Sequence, residues 1–277
     1  MRIPVVLAAV LVAAVGCSSG NGGPRTSGAR CVTAAPTRTT GHPTLDQWIA
    51  NRPLYVAHRG GDADWVEGTA DAYRKAAGWN PQLALEVPVW RTSDGVWVVS
   101  HDATTGRVFD KDLDIRASTW TELSKLSTKI GGLRMARLVN DILIPYGSTR
   151  ILFIDNKADK HVHAFFSLLD AYAGNTRYVS KGYYTSKNTA TEARKRGYVT
   201  WGYYYAGDMG KFAATQSRFD LLGLNYTAPV SDFVTMRATG KPVIAHVIAS
   251  PSSALSASCK GASGFMVSGV REVVRHS

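Results

Sequence analysis

The sequence predicts an α/β protein of the (β/α)8 TIM barrel class with a small insertion after strand 2. Three observations carry this. Eight short apolar segments, rich in β-branched and aromatic residues, lie at residues 54–57, 83–90, 150–154, 177–181, 198–204, 221–225, 242–247 and 264–267. Most are nearly continuous rather than alternating, as parallel strands covered on both faces are. A strand-then-helix rhythm over roughly 230 residues fits a closed barrel. The competing open doubly wound sheet would carry a glycine-rich phosphate loop after its first strand, and none is present.

Upstream of the barrel, residues 1–17 read as a lipoprotein-type signal peptide. Arg2 precedes an apolar run over residues 3–16, too short to cross a bilayer as a stable helix. The run ends Ala14-Val15-Gly16-Cys17, which resembles the lipobox of bacterial lipoproteins. Lipidation at Cys17 would place an exported protein on the extracytoplasmic face of a membrane. A plain secretory signal is the alternative. Residues 18–45, rich in Gly, Ser, Thr, Pro and Ala, make a flexible tether, and residues 46–277 make the barrel domain. Of the three cysteines, Cys31 and Cys259 remain to form a disulfide in an oxidising compartment.

Helical stretches follow the strands at residues 69–77, 161–172, 189–196, 231–238, 253–258 and 270–275. In the second of these, Phe165, Leu168, Leu169 and Tyr172 fall on one helical face. The connection after strand 2 is unusual. Ser93-Asp94-Gly95 makes a turn, residues 96–100 continue extended, and a long excursion runs over 102–149. Two helices are expected in it, near 119–126 and 133–143. A loop this long in a compact domain covers a site.

Catalytic groups of such barrels sit where strands end. Strand 1 ends in His58-Arg59-Gly60-Gly61, strand 2 contains Glu86, its extension ends in His101-Asp102, and the next strand ends in Asp155-Asn156-Lys157. Two imidazoles can serve as acid and base near neutral pH. Arg59 and Lys157 can meet phosphate oxygens, and carboxylates can hold a hard cation. That set suits phosphodiester cleavage. The net charge of +11, from 32 basic and 21 acidic residues, agrees with a phosphate-bearing partner. No block of five like charges and no nucleic-acid motif is present, so nucleic acid is not expected as a partner.

These motifs resemble the glycerophosphodiester phosphodiesterase family. The order His58-Arg59-Gly60, Glu67-Gly68-Thr69, Glu86, Arg91-Thr92-Ser93-Asp94-Gly95, Val98-Val99-Ser100-His101-Asp102 and Asp155-Asn156-Lys157 is similar to the family's His-Arg-Gly, Pro-Glu-Asn-Thr, Glu-x-Asp, Thr-x-Asp-Gly, His-Asp and Glu-x-Lys. The resemblance implies a (β/α)8 barrel that hydrolyses a small or lipid-derived phosphodiester as a monomer. It implies His58 and His101 as acid and base, and Arg59 and Lys157 on the phosphate. It also implies a divalent cation (calcium or magnesium) on Glu86, Asp155 and the residue at position 88, with Glu67 a further candidate ligand. The substrate's own hydroxyl would attack phosphorus to give a cyclic phosphate.

The pattern departs from the family at the metal. Position 88, where the family has a second ligand Asp, is Pro88, and Asp155 stands where the family has Glu. Pro88 cannot ligate, and its missing N–H predicts a bulge. The cation would then be weakly held, moved toward Glu67 or Asp62, or absent. Two alternatives follow: a degenerate barrel that only binds an anionic ligand, and a metal-independent phospholipase C-like enzyme. Arg91, Asp94 and Gly95 read as turn residues, Asp102 as the group orienting His101, and His246 as a core histidine. Trp201, Tyr203, Tyr204 and Tyr205 read as aromatic packing.

Overall fold

A computed structural model describes residues 43–172 and 174–276. The expectations for the signal, for most of the tether, for lipidation at Cys17 and for Cys31 lie outside those residues. Cys259 is disulfide-bonded. Among the described residues no helix is long and apolar enough to cross a membrane.

Nine strands form in the described chain: β1 (Leu54–Ala57), β2 (Ala84–Arg91), β3 (Trp97–Val99), β4 (Leu152–Asn156), β5 (Tyr178–Tyr183), β6 (Val199–Tyr204), β7 (Leu221–Asn225), β8 (Val243–Ile248) and β9 (Gly264–Val267). Eight are parallel, and β1 pairs with both β9 and β2, which closes the barrel. β3 lies outside the ring, antiparallel to β2. Helices follow the strands close to the expected places, at Ala70–Trp79, Val162–Asp170, Lys187–Lys195, Val230–Arg237, Pro251–Cys259 and Val270–Val273. A further helix, Met209–Thr215, follows β6.

The two-residue period of the strands sorts their side chains into layers. Leu54, Val56, Ala84, Phe153, Val179, Trp201, Leu221, Ile244 and Met266 point inward and form one apolar cluster with Leu45 and Trp48. These residues lie near the strand starts, so the cluster plugs the N-terminal end of the barrel. Leu45 and Trp48 belong to the helix Leu45–Ala50, which starts with a reciprocal cap between Thr44 and Gln47. Packing therefore begins one residue before the expected boundary. Outward residues such as Leu85, Val87, Ile154, Leu222 and Ala245 pack against the helices. Two positions beyond the plug, the same inward parity carries His58, Glu86, Asp155, Lys181, Tyr203 and His246.

Two expectations are corrected. No bulge forms at Pro88, which pairs regularly with Asp155 between Leu85↔Leu152 and Val89↔Asn156. The carbonyls of Glu86 and Pro88 turn away from β4, accepting from the Tyr73 hydroxyl and the Ser100 N–H, each at 3.0 Å. The nitrogen of Pro88 faces that same edge, past the end of the β1 pairing, so no β2–β4 bond is lost. The insertion helices are also shorter than expected. Trp120–Leu123 is one turn, and a π-helical Leu138–Leu143 runs into Ile144–Tyr146. The insertion holds together through its own small cluster of Val98, Phe109, Ile115, Leu123, Leu126 and Met135. Asp94 of the β2–β3 turn also accepts from the Trp120 N–H at 3.0 Å.

Phe153→Ala would empty the centre of the plug, where the Trp48 ring meets Phe153 at 5.5 Å. The expected loss is about 3–5 kcal/mol, read as a lower urea midpoint with unchanged slope.

Candidate active site

The turn after β1 is left-handed at Arg59, Gly60 and Gly61, with φ of 49°, 78° and 90°. Glycine adopts this at little cost, and it reverses the chain immediately beyond His58. The reversal aims the Arg59 N–H at Glu86 Oε2, 2.6 Å away. His58 Nδ1 lies 3.0 Å and 3.1 Å from the two oxygens of Asp62. A carboxylate only accepts, so Nδ1 donates and Nε2 is the free ring nitrogen.

His101, just past β3, is held the same way, with Nδ1 2.6 Å from Asp102 Oδ1. Arg107, from the insertion, donates through Nε to Asp102 Oδ2 at 2.5 Å. Its Nη1 pairs with Glu67 Oε1. The other oxygen of Glu67 accepts from Arg59 Nη1 at 3.0 Å. Glu67 is thus committed to two guanidinium groups rather than facing Glu86 and Asp155.

Beneath the imidazoles lies a buried ion cluster. Glu86, Asp155 and Lys181 are 0%, 2% and 6% exposed. Lys181 Nζ is 2.6 Å from Asp155 Oδ2 and 3.1 Å from Glu86 Oε1, the second an ion contact without hydrogen-bond alignment. Lys157 Nζ is 3.4 Å from Asp155 Oδ2, and Lys181 Nζ sits 4.6 Å from the Tyr203 ring centroid. Burial opposes ionisation of Glu86, but Lys181, His58 and Arg59 outweigh it and bring its pKa from 4.5 down to about 2. Burial likewise opposes the charge of Asp155, yet Lys157 and Lys181 hold it below its ordinary value. Lys181 is held above its ordinary value by Asp155 and Glu86 against the pull of burial, so it stays charged. Burial, then Lys157 and Arg59, lower the pKa of His101 more than Asp102 raises it.

His58, Arg59, His101, Lys181, Tyr203 and His246 all line one cleft of about 60 Å³. Arg59 Nε is buried with no partner, a donor available to an anion. His246 donates from Nε2 to the Tyr204 carbonyl at 3.1 Å, and burial pushes its pKa down to about 3, so it is a neutral wall of the cleft. The divalent cation implied by the resemblance does not fit these residues. Among the described residues no three His, Cys, Asp or Glu side chains converge on a point. The two buried carboxylates have an ammonium between them, whereas calcium takes six to eight oxygens and magnesium six.

Sequence reading missed Lys181, Arg107 and the partnership of Asp62 with His58. Lys181 had a signal. It stands two residues after the apolar Val179 and is the register partner of Asp155. Arg107 had none, because its contacts depend on how the insertion folds back.

The sequence model of the glycerophosphoryl diester phosphodiesterase family matches residues 58–175. Glycerophosphodiester phosphodiesterase 1 of Rattus norvegicus is 38% identical over 77 residues, 28% of this chain and 23% of that protein. The Homo sapiens protein of the same name is 38% identical over 72 residues, 26% of this chain and 22% of that protein. The chain therefore spans under a quarter of those relatives. Two solved barrels share its fold. A phosphodiesterase of Oleispira antarctica, solved with its product sn-glycerol-3-phosphate, has a TM-score of 0.67 at 18% identity over 79% of this chain and 94% of its own. The glycerophosphodiester phosphodiesterase of Thermotoga maritima has a TM-score of 0.61 at 18% identity over 78% and 95%.

A carboxylate with a depressed pKa adds stability above its unfolded value and loses it as pH falls through the folded one. For Glu86 that window runs from 4.5 down to about 2. Glu86→Gln is expected to destabilise the protein by roughly 3 kcal/mol at neutral pH, because Lys181 loses a partner. It should also flatten the fall of stability with acid across that window, as urea midpoints measured over pH would report.

Proposed function

We propose, from the premise that the chain belongs through residues 58–175 to the glycerophosphoryl diester phosphodiesterase family, that it hydrolyses a glycerophosphodiester-like substrate by acid–base catalysis between His58 and His101. The observation that carries this reading is the pairing of two carboxylate-backed imidazoles on one cleft with Arg59 and Lys181. A related barrel solved with sn-glycerol-3-phosphate supports a small phosphate-containing ligand. The sequence of residues 1–17 supports work on the extracytoplasmic face of a membrane.

His101 is the group suited to take the first proton, since its lowered pKa leaves it neutral at pH 7. A free hydroxyl of the glycerol gives that proton up as its oxygen bonds to phosphorus. The bond from phosphorus to the head-group oxygen breaks, and that oxygen takes a proton from His58. Asp62 holds His58 through Nδ1 and so leaves Nε2 for this transfer. Water then opens the cyclic phosphate with the roles reversed, giving its proton to His58 while His101 returns one to the ring oxygen. Negative charge on the phosphoryl oxygens meets Arg59 and Lys157.

His58→Ala and His101→Ala should each lower turnover of glycerophosphocholine by about 10²–10⁴-fold. A wild-type rate in either variant would remove it from the proton relay.

The lowered pKa of His101 also sets the pH profile. Activity should fall on the acid side with a midpoint below the ordinary imidazole value of about 6.5. Lys157→Met removes a positive charge that depresses the His101 pKa, so the acid limb should move to higher pH. A pH–rate series on both proteins would read the shift.

A further inference from the structure

Building on the hydrolysis read above, we propose that the Lys181 ammonium occupies the place of the divalent cation that the family resemblance implies, so that the reaction proceeds without bound metal. Position comes first. Lys181 follows Val179 on the inward parity of β5 and is the register partner of Asp155 on β4. Its Nζ reaches both buried carboxylates, at 2.6 Å and 3.1 Å, from a side chain that is itself buried. A cation that contacts two carboxylates at this distance fills the space a bound metal would need.

Charge supports the same reading. The resemblance implies three carboxylates and one divalent cation, a sum of −3 + 2 = −1. Here Glu86, Asp155 and Lys181 sum to −2 + 1 = −1. Pro88 lies on the same strand face as Glu86 and offers no ligand atom. Loss of one carboxylate and exchange of the metal for an ammonium therefore leave the local charge unchanged. That balance matters because an uncompensated buried charge is costly.

Chemistry completes the argument. An ammonium has three donors. One meets Asp155 and a second faces Glu86, which leaves the third for the cleft that Lys181 lines. The ring of Tyr203, 4.6 Å from Nζ, holds the head in place. Lys181 thus adds a fixed, buried positive charge to those of Arg59 and Lys157 against the phosphoryl oxygens.

Two measurements on the full chain test this. In the first, glycerophosphocholine turnover is followed before and after exhaustive EDTA treatment. Turnover should stay within about 2-fold, while Lys181→Met should lower kcat by about 100-fold or more. Loss of activity in EDTA that calcium or magnesium restores would overturn the proposal, and so would near-wild-type kcat in Lys181→Met. The second measurement is calorimetric titration with calcium chloride or magnesium chloride alone. The wild type should bind neither below the millimolar range, whereas Pro88→Asp/Lys181→Ala should bind at least about 10-fold tighter, with oxygen ligands restored. Submillimolar binding by the wild type would overturn the proposal even if the double variant fails to fold. If no diester is turned over at all, the hydrolase reading fails while the wild-type titration still decides the question of the cation.

Discussion

The contact among Glu86, Lys181 and Asp155 on the floor of the barrel mouth is the constraint from which the site follows. None of the three charges could stay buried without the others. Glu86 then uses its second oxygen to hold the Arg59 N–H, which fixes the turn that carries His58. Asp155 holds Lys157 at the end of the next barrel strand. One ion cluster therefore registers two strand ends, and His58, Arg59 and Lys157 take their positions from it.

The apolar plug makes that cluster effective. Trp48 and Phe153 seal the N-terminal end, and Trp201 carries the seal up to the cleft. Charges above such a plug are screened on the mouth side only, so each acts over a longer reach than it would in water. The depression of the Glu86 pKa to about 2, against full burial, expresses the same fact.

Much of this was legible in the residues. The strand runs were visible because parallel barrel strands are apolar on both faces, and the polar residues that end them marked the mouth. Pro88 misled the reading, because whether proline breaks a sheet depends on which edge its nitrogen faces, and that follows from where β1 stops. The insertion helices came out short because backbone N–H groups donate to the side chains of Asp94, Thr105 and Asp114, holding a turn-built unit in place of longer helices. Lys181 looked like the polar end of a strand. Its place opposite Asp155 became clear only with the β4–β5 register. The contact of Arg107 with Glu67 joins residues 40 apart in the chain, and no local pattern announces it.

Those Arg107 contacts tie reactivity to a peripheral part of the molecule. Burial, Lys157 and Arg59 lower the His101 pKa, and Asp102, itself bonded to Arg107, opposes them. The excursion after β3 is where barrels of this class can change length and composition with least harm to the core. Exchanging it for another would therefore alter the backing of His101 together with the shape of the entrance to the cleft.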